Sequence, residues 1–596
     1  MVLQSEPVLF YEWIGPALLF FLQVAAILGL LSLVVGYLIA AFRYGPLEGG
    51  DLTFRMVKRG LSDLVSISPR RVTALAWLAV QESLRRRVLV GFGMFLLILL
   101  FAGWFLDTKT HDPATLYLSF VLTATTYLVL LMALFLSVFS LPADIKNKTI
   151  HTVVTKPVRP GEIVLGRIIG FSLIGTLMLA IMGVFSYFFV VRVLSHSHEV
   201  EIASLASVPN SSTGQRAGRT TLSQNHRHKV TIDADGRGST DIVHGHWHEI
   251  DPRTDGDETT YVVGPPRDLF MARVPVYGQL RFKDRSGKAS SRGISVGKER
   301  KDQSFIEGAT LAAADYTFSD ITPQRFPDGL SIEMTIRVFR SHKGNIEEGI
   351  RGSLVLRNPR NRNIQSELRT FTAKDATIDQ IPIARKLRDS SGETIDLFDD
   401  LAPDGELEVE LQCLDDEQYF GVGRGDFYLR ARNASFTVNF IKGYLGIWVQ
   451  MLLVTSFGVM FSTFLSGPVG MMATLAALVL GSSTAFVFGV ARGEIEGVGP
   501  VESFIRIIQQ RNVTIEMEPG LTRDVVQAAD GVFMSVMTAV ASLLPDFPRF
   551  DNVNYVAHGF DVPADVVLVQ FFSGLAYVAA MFAIGYFFFR TREVAR

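Results

Sequence analysis

Long apolar blocks stand at both ends of this chain, and they narrow its possible folds more than any other feature. They run over Ile14–Phe42, Val88–Leu106, Leu116–Leu141 and Ile168–Leu194, then over Ile441–Leu465, Val469–Val490 and Val566–Phe589. Blocks of about 20 residues match a hydrocarbon layer roughly 30 Å thick at about 1.5 Å per helical residue. Between the two groups, from Ser195 to Phe440, the chain turns polar. The chain therefore reads as an α-helical polytopic membrane protein of about seven transmembrane helices with one large inserted domain. Alternating runs such as Ser331–Val338, Gly352–Leu356 and Glu406–Leu411 predict that the insert is mainly β, a sandwich or jelly-roll-like domain. Its first part, Ser207–Asp257, is rich in Ser, Thr, Gly and His and reads as a mobile insertion or long loops.

Charge supplies the orientation. Arg43–Arg87 carries nine arginines and lysines in the set Arg43, Arg55, Lys58, Arg59, Arg70, Arg71, Arg85, Arg86 and Arg87. Pro142–Arg167 adds Lys146, Lys148, Lys156, Arg159 and Arg167, and the tail adds Arg590, Arg592 and Arg596. Short basic segments are retained in the cytoplasm. One topology puts all three inside, with the N-terminus and Ser195–Phe440 outside and the C-terminus inside. The expected location is the inner (cytoplasmic) membrane. The expected segments are 1–43, an additional N-terminal span; 44–87, a cytoplasmic segment; 88–194, spans flanking the basic loop 142–167; and 195–440, the extracytoplasmic β domain. A span pair over 441–490, an outer segment over 491–565 and the last span with its tail over 566–596 complete the chain. The apolar run Gly531–Leu544 is read as re-entrant or interfacial, since about 14 residues are short for a crossing. The first block is too long for a signal-peptide core and is preceded by Glu6 and Glu12, so it reads as a retained span.

Several function classes drop out. Net charge is −2, which predicts no nucleic-acid partner. The single cysteine, Cys413, excludes a disulfide framework and thiolate metal clusters. The spans are nearly free of ionisable residues, unlike carriers driven by ion gradients. No GxxxxGK[ST], HExxH or GxSxG pattern occurs. The chain is expected to be non-catalytic, with no cofactor of its own.

The basic loop carries more than sidedness requires. Asp144 is followed by Thr149, Val153-Val154, Pro157-Val158 and Leu165-Gly166-Arg167. This order resembles the coupling region of ABC-2 type permeases, the membrane subunits of ATP-binding-cassette exporters, in the group with copper-maturation and gliding-motility permeases. That family favours glycine where Lys148 stands and lysine where Arg167 stands. Ala74–Arg87, with Trp77, Glu82, Arg85, Arg86 and Arg87, looks like the family's amphipathic entry helix. Within Arg43–Arg87, Val72, Leu75, Ala76 and Ala79 recur at helical spacing, a weak amphipathic stripe. Phe461–Val469 resembles an inner turn, and Leu544–Phe547 with Phe589–Glu593 resembles the last outer segment and the tail.

The resemblance implies a cytosolic ABC ATPase subunit that binds ATP and Mg, and a second permease copy or a related permease. Membrane lipids surround the spans, and an envelope protein can meet the outer domain. The ATPase-coupling residues would be Asp144, Lys146, Lys148, Thr149, Lys156, Pro157, Arg159 and Arg167. Lys146–Thr155 would make the contact, and Arg159 and Arg167 would anchor at headgroups or the interface. Two other readings stand beside it: a non-transporting, ATP-driven complex that moves the β domain, and a membrane-anchored sensor or scaffold.

Histidines crowd the start of the insert: His196, His198, His226, His228, His244, His246 and His248. His244, His246 and His248 alternate, and on a strand they would project from one face toward Zn²⁺ or Cu²⁺. A solvated His-rich loop is the more ordinary reading of such a segment.

Overall fold

A computed structural model describes residues 9–591 except 86–87, 107–112, 149–157, 208–213, 244–245, 256–257, 295–303, 328, 342–348, 375–377, 493–498 and 511–519. The helices are α1 (Phe10–Tyr44), α2 (Pro46–Val65), α3 (Pro69–Arg85), α4 (Val88–Phe105), α5 (Pro113–Lys146) and α6 (Pro160–Leu194), followed after the β-rich insert by α7 (Phe436–Ser462), α8 (Gly467–Ser482) and α9 (Thr484–Ala491). The chain ends with α10 (Pro500–Gln509), α11 (Leu521–Leu543), the short α12 (Val553–Ala557) and α13 (Ala564–Thr591). Six described stretches are long and apolar enough to cross a bilayer: α1, α5, α6, α7, α13 and Leu521–Ala557, which begins with α11. The pair α8–α9, bent by 57°, makes up to a seventh. The protein is a multi-pass helical membrane protein with an inserted, mostly β region.

The reading of Gly531–Leu544 as a run too short to cross needs correction. The helix begins ten residues earlier, at Leu521, and spans 23 residues. Polar residues in its first half hid the start. Asp530 is one of them, and its carboxylate accepts the backbone N–H groups of Val501 (2.7 Å) and Glu502 (3.0 Å) at the start of α10. A carboxylate at a helix N-terminus meets unpaired N–H donors and the positive dipole end.

α3 lies along α6. Its stripe, Val72, Ala76, Ala79 and Val80, is buried, and the counterpart on α6 is Gly166 and Gly170. A Cβ on Gly170 would stand 2.6 Å from the Ala79 Cβ and would collide with the Ala76 carbonyl. The Gly-x-x-x-Gly spacing thus lets the two backbones approach closely. α7 ties to α6 through Trp448, whose Nε1 donates to Thr176 Oγ1 at 2.8 Å.

Two compact units divide the chain. One comprises the helices together with residues up to Leu269; the other is Phe270–Asn439 with His558–Asp561. The first unit contains a six-stranded antiparallel meander in chain order: β1 (Ala206–Ser207), β2 (Arg216–Arg219), β3 (Lys229–Ile232), β4 (Gly238–Thr240), β5 (Glu249–Asp255) and β6 (Glu258–Val263). Val230, Ile232, Ile250 and Val263 form its small core with Val200. Ser207–Asp257, expected to be mobile or looped, thus carries the end of β1 and the strands β2 to β5 among the described residues. Its strands are only two to seven residues long, too short for hydrophobic alternation to announce them.

The second unit is the larger β body. One antiparallel sheet runs Arg369–Ala373, Ile350–Arg357, Leu407–Cys413, Ala313–Phe318, Gln279–Lys283, Ala289–Ser290. A second runs Ile378–Ile383, Leu330–Thr335, Phe427–Asn433, Arg273–Tyr277. Their inner residues share one core, with Tyr316 of the first stacked on Phe427 of the second at 4.4 Å. Leu407, Val409, Leu411 and Cys413 face that core, as their alternation requires. Glu408 and Glu410 take the other face and are ion-paired, Glu408 with Arg362 and Glu410 with Lys283 and Arg357.

Candidate metal centre and charged node

α6 spans 35 residues, roughly 50 Å. Ionisable side chains gather at both of its ends.

At the Pro160 end, Glu162 is fully buried and collects four donors. Arg71 supplies Nε (2.8 Å) and Nη2 (2.7 Å). The Ser68 N–H (2.9 Å) comes from the residue before α3. The Arg159 N–H (3.0 Å) is the N-cap donor of α6 itself. One carboxylate therefore fastens two helix starts, as a Glu at the third helical position can. Five residues on, Arg167 donates to Glu82 of α3 at 2.6 Å and pairs with Asp144 of α5. Ser140 Oγ also reaches Glu82, at 3.2 Å. Arg159 lies 3.7 Å from Asp63 of α2, and Asp63 also accepts the Tyr586 hydroxyl of α13 at 3.0 Å.

The structure thus brings together Glu82, Asp144 and Arg167, and sets Arg159 against α2. Arg167 is only 7% exposed and is held by carboxylates, which corrects its expected place at headgroups or the interface. A guanidinium between two carboxylates is held in the interior at less cost than one pulled from water alone. Lys146 ends α5. Lys148 has φ +58°, the left-handed region that favours glycine. Trp77 and Arg85 are exposed on α3. Thr149, Lys156, Pro157, Arg86 and Arg87 lie outside the described residues. Glu162, Arg71 and Asp63 escaped the sequence reading because nothing in their spacing announces contacts about 90 residues apart.

At the Leu194 end, six imidazoles converge: His196, His198, His226, His228, His246 and His248. The ligand atoms of the first five lie within 4.8 Å of one another. Nε2–Nε2 separations are 3.0 Å for His246–His196 and 3.2 Å for both His198–His226 and His226–His246. Five of the six rings turn Nδ1 toward a backbone carbonyl: His196 to Leu194 (2.9 Å), His198 to Thr221 (2.9 Å), His226 to Gln224 (3.3 Å), His228 to Asp241 (2.9 Å) and His248 to Gly264 (2.8 Å). A carbonyl only accepts, so Nδ1 carries the proton and Nε2 keeps its lone pair toward the centre. The rings are buried except His196, which is half-buried. Burial pushes His226 down to about 3 and His248 down to about 4, with a further push from neighbouring imidazoles, so both are neutral at pH 7.

His246 and His248 of the sequence-predicted trio face this centre, and His244 lies outside the described residues. The other four ligands come from two further His-x-His pairs. A local repeat builds the last two pairs. Thr220-Thr221 precedes His226-Arg227-His228, and Thr240-Asp241 precedes His246-Trp247-His248 at the same spacing. In each, the threonine Oγ1 accepts the N–H of the second histidine, at 3.0 Å for His228 and 2.9 Å for His248. That repeat was the signal available in the sequence.

Between α5, α7 and α8 lies an open, mostly apolar groove of about 330 Å³, lined by Thr126, Tyr127, Gln450, Val454 and Leu478 among others.

No family model matches this chain, and no curated protein matches it.

Proposed function

We propose that this chain is the membrane subunit of an ABC-2 type exporter, driven by a separate cytosolic ATPase and paired with a second permease copy. The observation that carries the reading is the junction of Arg167, Glu82 and Asp144. The resemblance singles out these residues from an entry helix, the end of one span and the start of the next. Their meeting makes α3, α5 and α6 one mechanical piece at the basic end of the bundle. A push on the segment after Asp144 would then be passed to α6 rather than lost in a hinge. ATP hydrolysis belongs to the partner, with its Mg, and this chain supplies the docking surface and the path.

The test is co-purification of the full chain with its ATPase and measurement of ATP-dependent activity in vesicles. Replacing Lys146 and Lys148 by glutamate, together with scrambling 149–155, is expected to abolish ATPase binding while leaving the chain folded. Unchanged binding and activity would remove the proposal. Retained ATPase coupling without movement of any solute in vesicles would favour the non-transporting complex instead.

A further inference from the structure

We propose that His196, His198, His226, His228, His246 and His248 bind one divalent first-row transition-metal ion in octahedral geometry, each through Nε2. The inference stands apart from the permease reading and rests on the arrangement of the six rings.

Twelve pairs among these rings have centroids 4.7–5.3 Å apart and planes 74–90° to one another. Twelve is the number of edges of an octahedron. The three pairings left over are His196 with His228, His198 with His246, and His226 with His248. Each residue occurs in them once, as the three diagonals require. The first histidines of the pairs, His196, His226 and His246, form one triangular face. The second ones, His198, His228 and His248, form the opposite face. Chain order thus generates a three-fold antiprism from three His-x-His units.

Distances agree. For a metal–imidazole bond of about 2.1 Å, neighbouring donors stand about 3.0 Å apart in an octahedron and about 3.4 Å apart in a tetrahedron. The observed 3.0–3.2 Å falls at the octahedral value. Lone pairs this close repel unless a cation lies between them. Among the described residues, His248 Nε2 is buried and has no hydrogen-bond partner. A carbonyl behind Nδ1 is the usual outer support of a metal-bound histidine, since it fixes the tautomer and the ring orientation. A hydroxyl or carboxylate ligand is absent from the set, so a hard ion such as Mg²⁺ or Ca²⁺ is a poor match. Zn²⁺ prefers four ligands and Cu²⁺ a tetragonal set. Six equal imidazoles suit Fe²⁺, Co²⁺ or Ni²⁺. With every position filled by protein, the ion has no place for a substrate or water, so its role is to order the fold. It would bind His196 and His198, in the segment following α6, to the meander β1–β6.

The experiment uses the full-length protein in detergent, stripped with a chelator and titrated with Co²⁺, with Ni²⁺ and Zn²⁺ as competitors. One ion per chain and the weak visible absorption of six-coordinate Co²⁺ are expected. His228→Ala with His248→Ala should weaken binding by roughly 100-fold or more. His196→Ala removes the half-buried ligand, the one least tied to the core, and should change the Co²⁺ spectrum while the chain stays folded by circular dichroism. Intense four-coordinate Co²⁺ bands in the wild type, less than one ion per chain, or binding untouched by these substitutions would overturn the proposal.

Discussion

The two ends of α6 collect ionisable side chains by opposite rules. At the Pro160 end, every carboxylate of the node has a cation or an N–H beside it: Glu162 has Arg71, Glu82 and Asp144 share Arg167, and Asp63 has Arg159. At the Leu194 end, six groups of the same kind point their acceptors at one another. A cluster of opposite charges neutralises itself and can be purely structural. A cluster of like acceptors reaches low energy only around something positive. Counting ionisable residues would not have separated the two, whereas the hydrogen-bond donors around each group do.

Arg167→Met should be the most damaging, costing about 3 kcal/mol, since it removes the cation that Glu82 and Asp144 share. Thermal unfolding in detergent checks this. Adding Glu82→Gln and Asp144→Asn should restore most of the loss, and failure of that rescue would show that the node is not self-neutralising. Chelation comes next. Removing a metal held at a free concentration 100 times its dissociation constant should cost about 2.7 kcal/mol. The loss should be confined to the histidine end: proteolysis should reach residues 195–269 first, and the Arg167 variants should respond to chelator as the wild type does.

A charge-paired site in the second β unit provides a pH test of the same rule. Burial draws the Glu410 carboxyl upward, but Lys283 and Arg357 outweigh it and hold it below the ordinary range. A depressed carboxylate contributes stability above its unfolded pKa and loses it as pH falls through the folded one. Glu410→Gln should therefore cost roughly 1–2 kcal/mol at pH 7 and progressively less as the pH is lowered below about 4. A pH-independent cost would mean that its packing, not its charge, matters. The smallest effect is expected at Lys148, whose φ is +58°. Lys148→Gly should stabilise the full chain by about 0.5–1 kcal/mol by relieving the left-handed strain, read as a rise in melting temperature. A loss of stability would show that the lysine side chain has a partner worth more than the strain.

Much of the architecture was legible because its causes are local. A helix that must satisfy its own backbone in hydrocarbon needs about 20 apolar residues in a row, and such runs are visible one by one. The strands Ile350–Arg357 and Leu407–Cys413 were visible for a similar reason, since residues two apart share a face. β1–β4 were not, because strands of two to four residues carry almost no period. The start of α11 was hidden by Asp530, whose place inside a helix makes sense only once α10 is set against it.

The sequence by itself determined most of the membrane spans, the inserted β region, the excess of basic charge at particular loops and the presence of closely spaced histidines. Each follows from composition within a window of a few to about 20 residues. Tertiary structure alone decided which partners meet. Arg167 finds Glu82 because Gly166 and Gly170 let α3 lie close along α6. Three His-x-His pairs, spaced 20 to 30 residues apart, become one six-fold set because an antiparallel meander returns the chain to the same point at each turn. Spacing tells which side chains share a face; only the folded chain tells what that face is turned toward.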